Sequence, residues 1–385
     1  MQKKLLAVAM AALFAPFAAQ AADIEVYGLI DTGLVFNSID TDKAGSDRES
    51  SLTMNSSVST PNRWGLRSSE NIGDGLTVGF NLEGQFGSDD GSMTNSRLFQ
   101  RMSQIWIKSD TYGTLIMGRS GALRSGMGTT GIWGPKIATF SNSWGNYMVG
   151  SKYLMPGGFG SLDNAITYQS PVMNGAQIHL QYSSKMNQVT DTAGEEFEGS
   201  SDRTWGVGMT YTAGPLHVVA VVDSILYGNV HGNANYDDSL MASLGAAYQF
   251  DGFKLYASAA GFKSMKGSNF LGHNGLETFM KPVNGVEPAT YKGYSLQLGA
   301  DIRAGVGTVK VNVGWMDAQV DDVYLAAAEE LDDTDRIGLS AGYVHPLSKR
   351  TSLYAGAGVT KGSSSVNQGA DPVAYEVVTG MVHSF

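Results

Sequence analysis

Most of the chain alternates. In Arg203–Tyr211, Trp205, Val207, Met209 and Tyr211 fall on one face, and Thr204, Gly206, Gly208 and Thr210 fall on the other. Period two over this length is a strand with one apolar face. The alternation returns in Leu240–Phe250, Tyr294–Arg303, Val309–Trp315 and Arg336–Tyr343. The connectors alternate as well. Short ones such as Gly73-Asp74-Gly75, Asp110–Gly113, Asn174-Gly175, Asp251-Gly252 and Ala304–Gly307 take turns with long polar ones at 37–56, 87–96, 120–161, 185–202, 224–238, 263–290, 317–333 and 361–372. Counting between them predicts sixteen strands: 23–36, 58–71, 76–86, 97–109, 113–119, 162–170, 175–184, 203–213, 215–223, 239–250, 253–262, 291–303, 307–316, 335–345, 350–360 and 373–385.

An even number of strands near ten residues, with sorted connectors, predicts an all-β fold. It is a 16-stranded antiparallel transmembrane β-barrel with short periplasmic turns and long outer loops. Aromatic residues at strand ends (Trp64, Tyr211, Tyr248, Phe250, Trp315, Tyr343 and Tyr375) suit the interfacial girdles of such a barrel. A soluble β-sandwich also alternates. It has no reason to sort its connectors by length, and its apolar face would carry larger side chains than the Ala-rich face found here.

The first 21 residues stand apart. Lys3 and Lys4 precede an apolar run from Leu5 to Ala19, and Ala19-Gln20-Ala21 is a small-x-small cleavage site. A secretory signal peptide over 1–21 is expected, leaving 22–385 as a single barrel domain. The run is shorter than the roughly 20 residues a helical span needs. No later window holds 18 consecutive apolar residues, so the exported chain cannot cross a membrane as helices.

Composition narrows the chemistry. Among 385 residues, 49 are Gly and none is Cys. A thiolate metal site, a disulfide framework and a thiol nucleophile are thereby excluded. Removing Lys3 and Lys4 leaves 24 basic against 36 acidic residues, a net charge of −12, which argues against a broad nucleic-acid surface. Gly338-Leu339-Ser340-Ala341-Gly342 matches a serine-hydrolase elbow, but that motif needs a strand-to-helix turn and this one lies inside an alternating strand. Gly126-x-Gly128-x-x-Gly131 matches a dinucleotide fingerprint, yet Trp133-Gly134-Pro135 prevents the helix that must follow. The six histidines show no metal-ligand spacing. Asp40-x-Asp42 with Gly45 resembles part of a calcium loop, but Ala44 and Ser51 stand at ligand positions. No cofactor and no catalytic or metal residue is expected.

Three stretches resemble the Gram-negative general porin family in its proteobacterial branch. They are Val26-Tyr27-Gly28-Leu29-Ile30-Asp31; Asn62-Arg63-Trp64-Gly65-Leu66-Arg67-Ser68-Ser69-Glu70 with Phe80-Asn81-Leu82-Glu83; and Leu98-Phe99-Gln100-Arg101 with Tyr112-Gly113-Thr114-Leu115-Ile116-Met117-Gly118-Arg119. The terminal Phe385, with Val377, Met381 and His383 on its parity, is similar to the family's barrel-assembly signal. The resemblance implies a homotrimer in the lipid of a Gram-negative outer membrane. Each subunit would be a water-filled pore for small hydrophilic solutes and ions. The third outer loop, here 120–161, would fold into the lumen as a constriction.

The alternation places Trp64 and Leu66 outward, so Arg63 and Arg67 face inward. Arg101 comes to the height of Arg63 at roughly 10 Å, and Arg67 lies about 13 Å further towards the periplasm. The resemblance implies that Arg63, Arg67 and Arg101 form the constriction's basic cluster, joined by Arg119 where the loop begins. Glu83, Glu70 and Asp31 are the candidate acidic partners. The loop departs from the family pattern: between Asp110 and Asp163 there is no acid, while Arg119, Arg124, Lys136 and Lys152 are present. A locally positive eyelet with a weak preference for anions is expected. Opposing it are acidic outer loops, whose field salt screens within about 8 Å. Gln104 and Lys108 fall on the outward parity, which points to a protein-covered face at a trimer contact. The loop rings Trp133, Phe140, Trp144, Tyr147, Tyr153 and Phe159 read as anchors to the barrel wall, or else as a sugar track. Passive diffusion is the first functional reading and a sugar- or phosphate-specific channel the second. An outer-membrane enzyme and a non-conducting structural barrel are rivals from other classes.

Overall fold

The computed structural model describes residues 23–40, 42, 47–140, 143–144, 160–189, 194–229, 236–267, 286, 288–325, 334–364 and 371–385. The expected signal segment lies outside them. Seventeen strands form one sheet: β1 (Glu25–Asp40), β2 (Glu49–Ser56), β3 (Arg63–Gly73), β4 (Leu76–Gly84), β5 (Met102–Ser109), β6 (Gly113–Gly121), β7 (Ser161–Gln169), β8 (Ala176–Ser183), β9 (Arg203–Ala213), β10 (Leu216–Leu226), β11 (Leu240–Gln249), β12 (Phe253–Lys266), β13 (Ala289–Ala304), β14 (Gly307–Val323), β15 (Thr334–Pro346), β16 (Thr351–Ser364) and β17 (Val373–Ser384). The pairings are antiparallel, and β1 closes on β17 from Leu29↔Ser384 to Asp40↔Val373. On its other edge β1 pairs with β3 over Glu25–Leu29 and with β2 over Thr32–Ile39. β2 and β3 therefore fill one barrel position, and the 17 elements make a closed 16-stranded antiparallel barrel. No helix among the described residues is long and apolar enough to cross a membrane.

Alternation gives the barrel two faces. Ile30, Leu34 and Phe36 of β1, Leu296 and Leu298 of β13, Ile337 and Leu339 of β15, and Val377 and Met381 of β17 are each more than 40% exposed. An apolar belt of this extent is at home only against hydrocarbon. The opposite parity (Ser295, Gln297, Ser340, Glu376) is buried. The seven girdle aromatics all share the outward parity. At one strand end Phe250 stacks on Phe253 with ring centroids 4.6 Å apart, and Tyr248 leans against Phe250 at 4.5 Å.

Several strands outrun their apolar pattern. β1 continues to Asp40 and β2 occupies 49–56, where the sequence reads as loop. β12, β14 and β16 extend to Lys266, Val323 and Ser364. The pattern marks only the height at which one face meets lipid. Above it the hydrogen-bonded ladder continues in water with polar residues on both sides, as where Asn37 and Ser38 of β1 pair with Ser51 and Ser50 of β2; Leu52 and Met54, opposite Phe36 and Leu34, still belong to the apolar face. β5 is shorter than expected and starts at Met102.

That late start also overturns the parity read for Gln104. Ile105 and Ile107 are the exposed residues of β5. Gln104 is buried and donates to Asn81 Oδ1 (3.3 Å) and Thr129 Oγ1 (2.6 Å). The backbone breaks step at Arg101, so Gln104 and Lys108 take the inward parity and not the outward one.

The interruption between β2 and β3 is built around Asp31. Its fully buried carboxylate accepts from Ser59 N (2.7 Å), Ser59 Oγ (2.8 Å), Thr60 N (2.6 Å) and Tyr354 Oη (2.6 Å). Asn62 Oδ1 accepts from the Asp31 N–H (2.5 Å), and Ser57 takes a φ of 62°. Asp31 thus orders a corner with amides and hydroxyls; it is not the arginine partner the sequence offered.

Candidate functional site

Leaving β6, the chain follows the inward parity of one strand after another. Leu123 N donates to Gln181 Oε1 of β8 (3.1 Å). Arg124 makes a bidentate pair with Asp223 of β10 (2.7 and 2.9 Å), both side chains largely buried. Ile132 lies against Gly208 of β9 and Ile137 against Gly245 of β11. Thr139 Oγ1 donates to Asp301 of β13, while Lys310 Nζ of β14 reaches Thr139 O (3.0 Å) and Asp301 (2.8 and 3.0 Å). Phe140 and Trp144 reach Gly342 of β15, the Trp144 ring stands 5.3 Å from Tyr354 of β16, and the Trp144 N–H donates to Val58 O in the Asp31 corner. The wall glycines are a steric requirement. A Cβ on Gly245 would stand 2.0 Å from Ile137 Cγ2, and one on Gly208 would stand 2.6 Å from Ile132 Cδ1.

Trp133, Phe140 and Trp144 are 5%, 2% and 5% exposed, which is the anchoring arrangement. Tyr147, Tyr153 and Phe159 lie outside the described residues, as does Lys152. An apolar cluster of Ile132, Trp133 and Ile137 with Val219, Val221 and Met241 lies on the inward side. The alternation hid it, because Val218–Val222 is apolar on both faces.

Across from this track, β3, β4 and the approach to β5 bring together three of the expected residues. Glu83 is buried and receives Arg101 Nε at 2.5 Å and Tyr27 Oη at 2.9 Å, with Arg63 Nε at 4.0 Å. Arg101 is buried and donates also to Gln85 Oε1 (3.3 Å). Arg63 keeps 28% of its side chain exposed. One carboxylate serves two guanidiniums, so the group carries a surplus positive charge, borne by its open member, Arg63.

The other candidates go elsewhere. Arg67 is half exposed, bidentate to Glu25 (2.8 and 2.5 Å) and 4.9 Å over the Tyr27 ring. Arg119 sits at a register shift between Gly118 and Ser120, donates to Gln100 O (2.5 Å) and pairs with Asp163. Asp163 also holds Arg97 through two bonds (2.9 and 2.8 Å), and Arg97 Nη2 continues to Asn187 Oδ1 (3.0 Å). Arg97 precedes β5 in a stretch without periodicity, so parity could not find it. Lys136 is exposed and within electrostatic range of His179 and His217. Glu70 is exposed on the outward parity.

The inward parity also carries Lys254, Arg303 and Lys310 on β12–β14; the alternation put Arg303 and Lys310 on a polar face without singling them out. Among the described residues no three His, Asp or Glu side chains are grouped to hold a metal ion. Phe385 closes the seam: its N–H donates to Gly28 O (3.0 Å), its O accepts from Gly28 N (3.2 Å), and its ring covers Gly28.

Comparison with known proteins agrees with this architecture. The family model described as Gram-negative porin matches residues 7–365. An outer membrane porin protein of Bordetella pertussis is 28% identical over the full length of both chains. Among solved structures, an anion-selective porin from Comamonas acidovorans superposes with a TM-score of 0.65 at 24% identity, covering 94% of this chain and all of that one. The trimer form of OmpT, an outer membrane protein of Vibrio cholerae, gives 0.61 at 12% identity over 95% of this chain and all of that one. With a closed 16-stranded barrel, a lipid-facing belt and a family match over most of its length, the chain belongs to the Gram-negative porin family of the outer membrane.

Proposed function

We propose that this porin is a passive diffusion channel for small hydrophilic solutes and ions, assembled as a homotrimer, with a weak preference for anions. The observation that carries the preference is the Arg63–Glu83–Arg101 group, two cations on one carboxylate, facing a loop without acids. Loop 120–161 is the constriction in this reading; its pinning along β8–β16 leaves the passage beside the arginine wall. Arg124 acts as a rivet, since Asp223 neutralises it. Arg67 is neutralised by Glu25, and Arg119 shares Asp163 with Arg97. Lys136 adds positive charge from the loop. Support for the ion preference comes from the anion-selective relative, and for the trimer from the trimeric one.

A pore needs no general base, nucleophile or cofactor, and none is assigned. Phe385 serves as the assembly signal in this reading, supported by its hydrogen bonds to Gly28 across the seam. Residues 1–21 are removed on export. The test is single-channel recording of refolded protein under a KCl gradient. Closures in threes with a reversal potential of anion sign are expected. A cation sign would overturn the constriction-charge reading, and an absence of conductance from folded protein would overturn the channel itself.

A further inference from the structure

A second group of cations lies low on the opposite wall. Lys254, Asp301 and Lys310 face one another in register across β12, β13 and β14, and Arg303 follows two residues after Asp301 on the same parity. Asp301 is fully engaged: it accepts from Lys310 Nζ (2.8 and 3.0 Å), Tyr256 Oη (3.0 Å) and Thr139 Oγ1. Lys254 and Arg303 are left over. Neither side chain has a hydrogen bond or ion pair among the described residues. Lys254 rests against the Tyr256 ring at 4.9 Å.

Both line a recess of about 320 Å³ together with Gln249, Asp301 and Thr308, beside the short turns Asp251-Gly252 and Ala304–Gly307. Those turns mark the periplasmic end. Thr139 of the loop shares Asp301 and Lys310 with this wall, which ties the recess to the loop. Like charges at diagonal positions of an antiparallel pair repel. A monovalent ion would neutralise one of them; an ion carrying two charges neutralises both.

We propose that Lys254 and Arg303 form a binding site for small divalent oxyanions at the periplasmic end of the lumen, separate from the Arg63–Glu83–Arg101 group. Lys254 Nζ and the Arg303 guanidinium supply the charge, and the Thr308 hydroxyl supplies a further donor. An anion that passes the arginine wall meets this recess before leaving, so the two groups act in series. The inference rests on the channel reading above, and the test separates the two.

The measurement is the current through single channels in KCl as inorganic phosphate is titrated at pH 8, in the wild type, in K254Q/R303Q, in K254R/R303K and in R63Q. Saturable phosphate-dependent reduction of current is expected in the wild type. The half-saturating concentration should rise about tenfold in K254Q/R303Q, as for loss of charge-assisted hydrogen bonds. It should stay within about twofold of wild type in the charge-conserving K254R/R303K and in R63Q. R63Q should instead move the KCl reversal potential. Phosphate block that is equal in K254Q/R303Q and wild type, or that is lost in R63Q alone, would overturn the site while leaving the channel reading intact. A wild-type channel of cation sign would overturn the constriction-charge reading, and an absence of conductance the channel itself, each independently of the phosphate result.

Discussion

Replacing Glu83 by Gln tests the charge balance of the arginine wall. Glutamine keeps the shape of glutamate and one acceptor oxygen, enough for Arg101 Nε, while its NH2 can donate to Tyr27 Oη in place of accepting from it, and the charge of the group rises by one unit. A unit charge about 8 Å from a passing ion contributes about 0.5 kcal/mol at the dielectric of water, and about 2 kcal/mol at an effective constant near 20. The lower value suits a water-filled pore. It favours the anion and disfavours the cation, so the chloride-to-potassium permeability ratio should rise about sixfold. Screening at 0.1 M salt, with a Debye length of about 10 Å, cuts this to about twofold. The assay is the reversal potential under a KCl gradient, read at 0.1 M and 1 M mean salt, with the increase shrinking at the higher value. The variant also leaves buried Arg101 without its carboxylate, at a cost of up to about 3–5 kcal/mol. Heat-modifiable migration of the barrel should therefore be followed in parallel. The partner variant Arg63→Gln must shift the ratio the other way by a similar factor. An unchanged ratio in folded E83Q, or equal directions for the two variants, would refute the reasoning.

Arg67→Ala should move the reversal potential far less than Arg63→Ala, because Glu25 already balances Arg67; its stability cost should stay within about 1 kcal/mol, as measured by urea unfolding. Asp223→Asn strands a buried Arg124 and should cost about 3–5 kcal/mol in the same unfolding assay, with increased open-channel noise as the loop loosens. Gly245→Val drives a side chain into Ile137 and should change single-channel conductance with little effect on the outer belt; conductance equal to wild type would show that the loop does not bear on β11. Tyr354→Phe removes a hydrogen bond to a buried carboxylate and should cost about 1.5–3 kcal/mol by urea titration.

The membrane band was legible from alternation alone, because lipid and water impose opposite demands on successive residues. Leu296 and Leu298 against Ser295 and Gln297 leave no other assignment. β2 was not legible, since its outward face offers only Leu52 and Met54, opposite Phe36 and Leu34, and the rest of Glu49–Ser56 is polar, too short a period to set against a loop. In the site, Arg63, Glu83 and Arg101 could be brought together from parity and resemblance. Arg97 and the engagement of Arg124 by Asp223 could not: one lies in aperiodic chain, and the other joins residues 99 positions apart through a loop path that no local pattern encodes. Gln104 failed because a single break in step at Arg101 inverts the side chains that follow it along β5.

The Asp31 corner has a bearing on the order of assembly. Its carboxylate comes from the first strand, while the hydroxyl of Tyr354 that completes it comes from the penultimate one, 323 residues later. Trp144 packs on the same spot and donates to Val58 O. A nascent barrel lacking β16 and β17 has a pore segment with nowhere to rest its far end. Contacts so distant in sequence form late. The far end of the long loop is therefore seated in the same event that seals the wall, and an incompletely closed barrel is also one whose loop has no resting place.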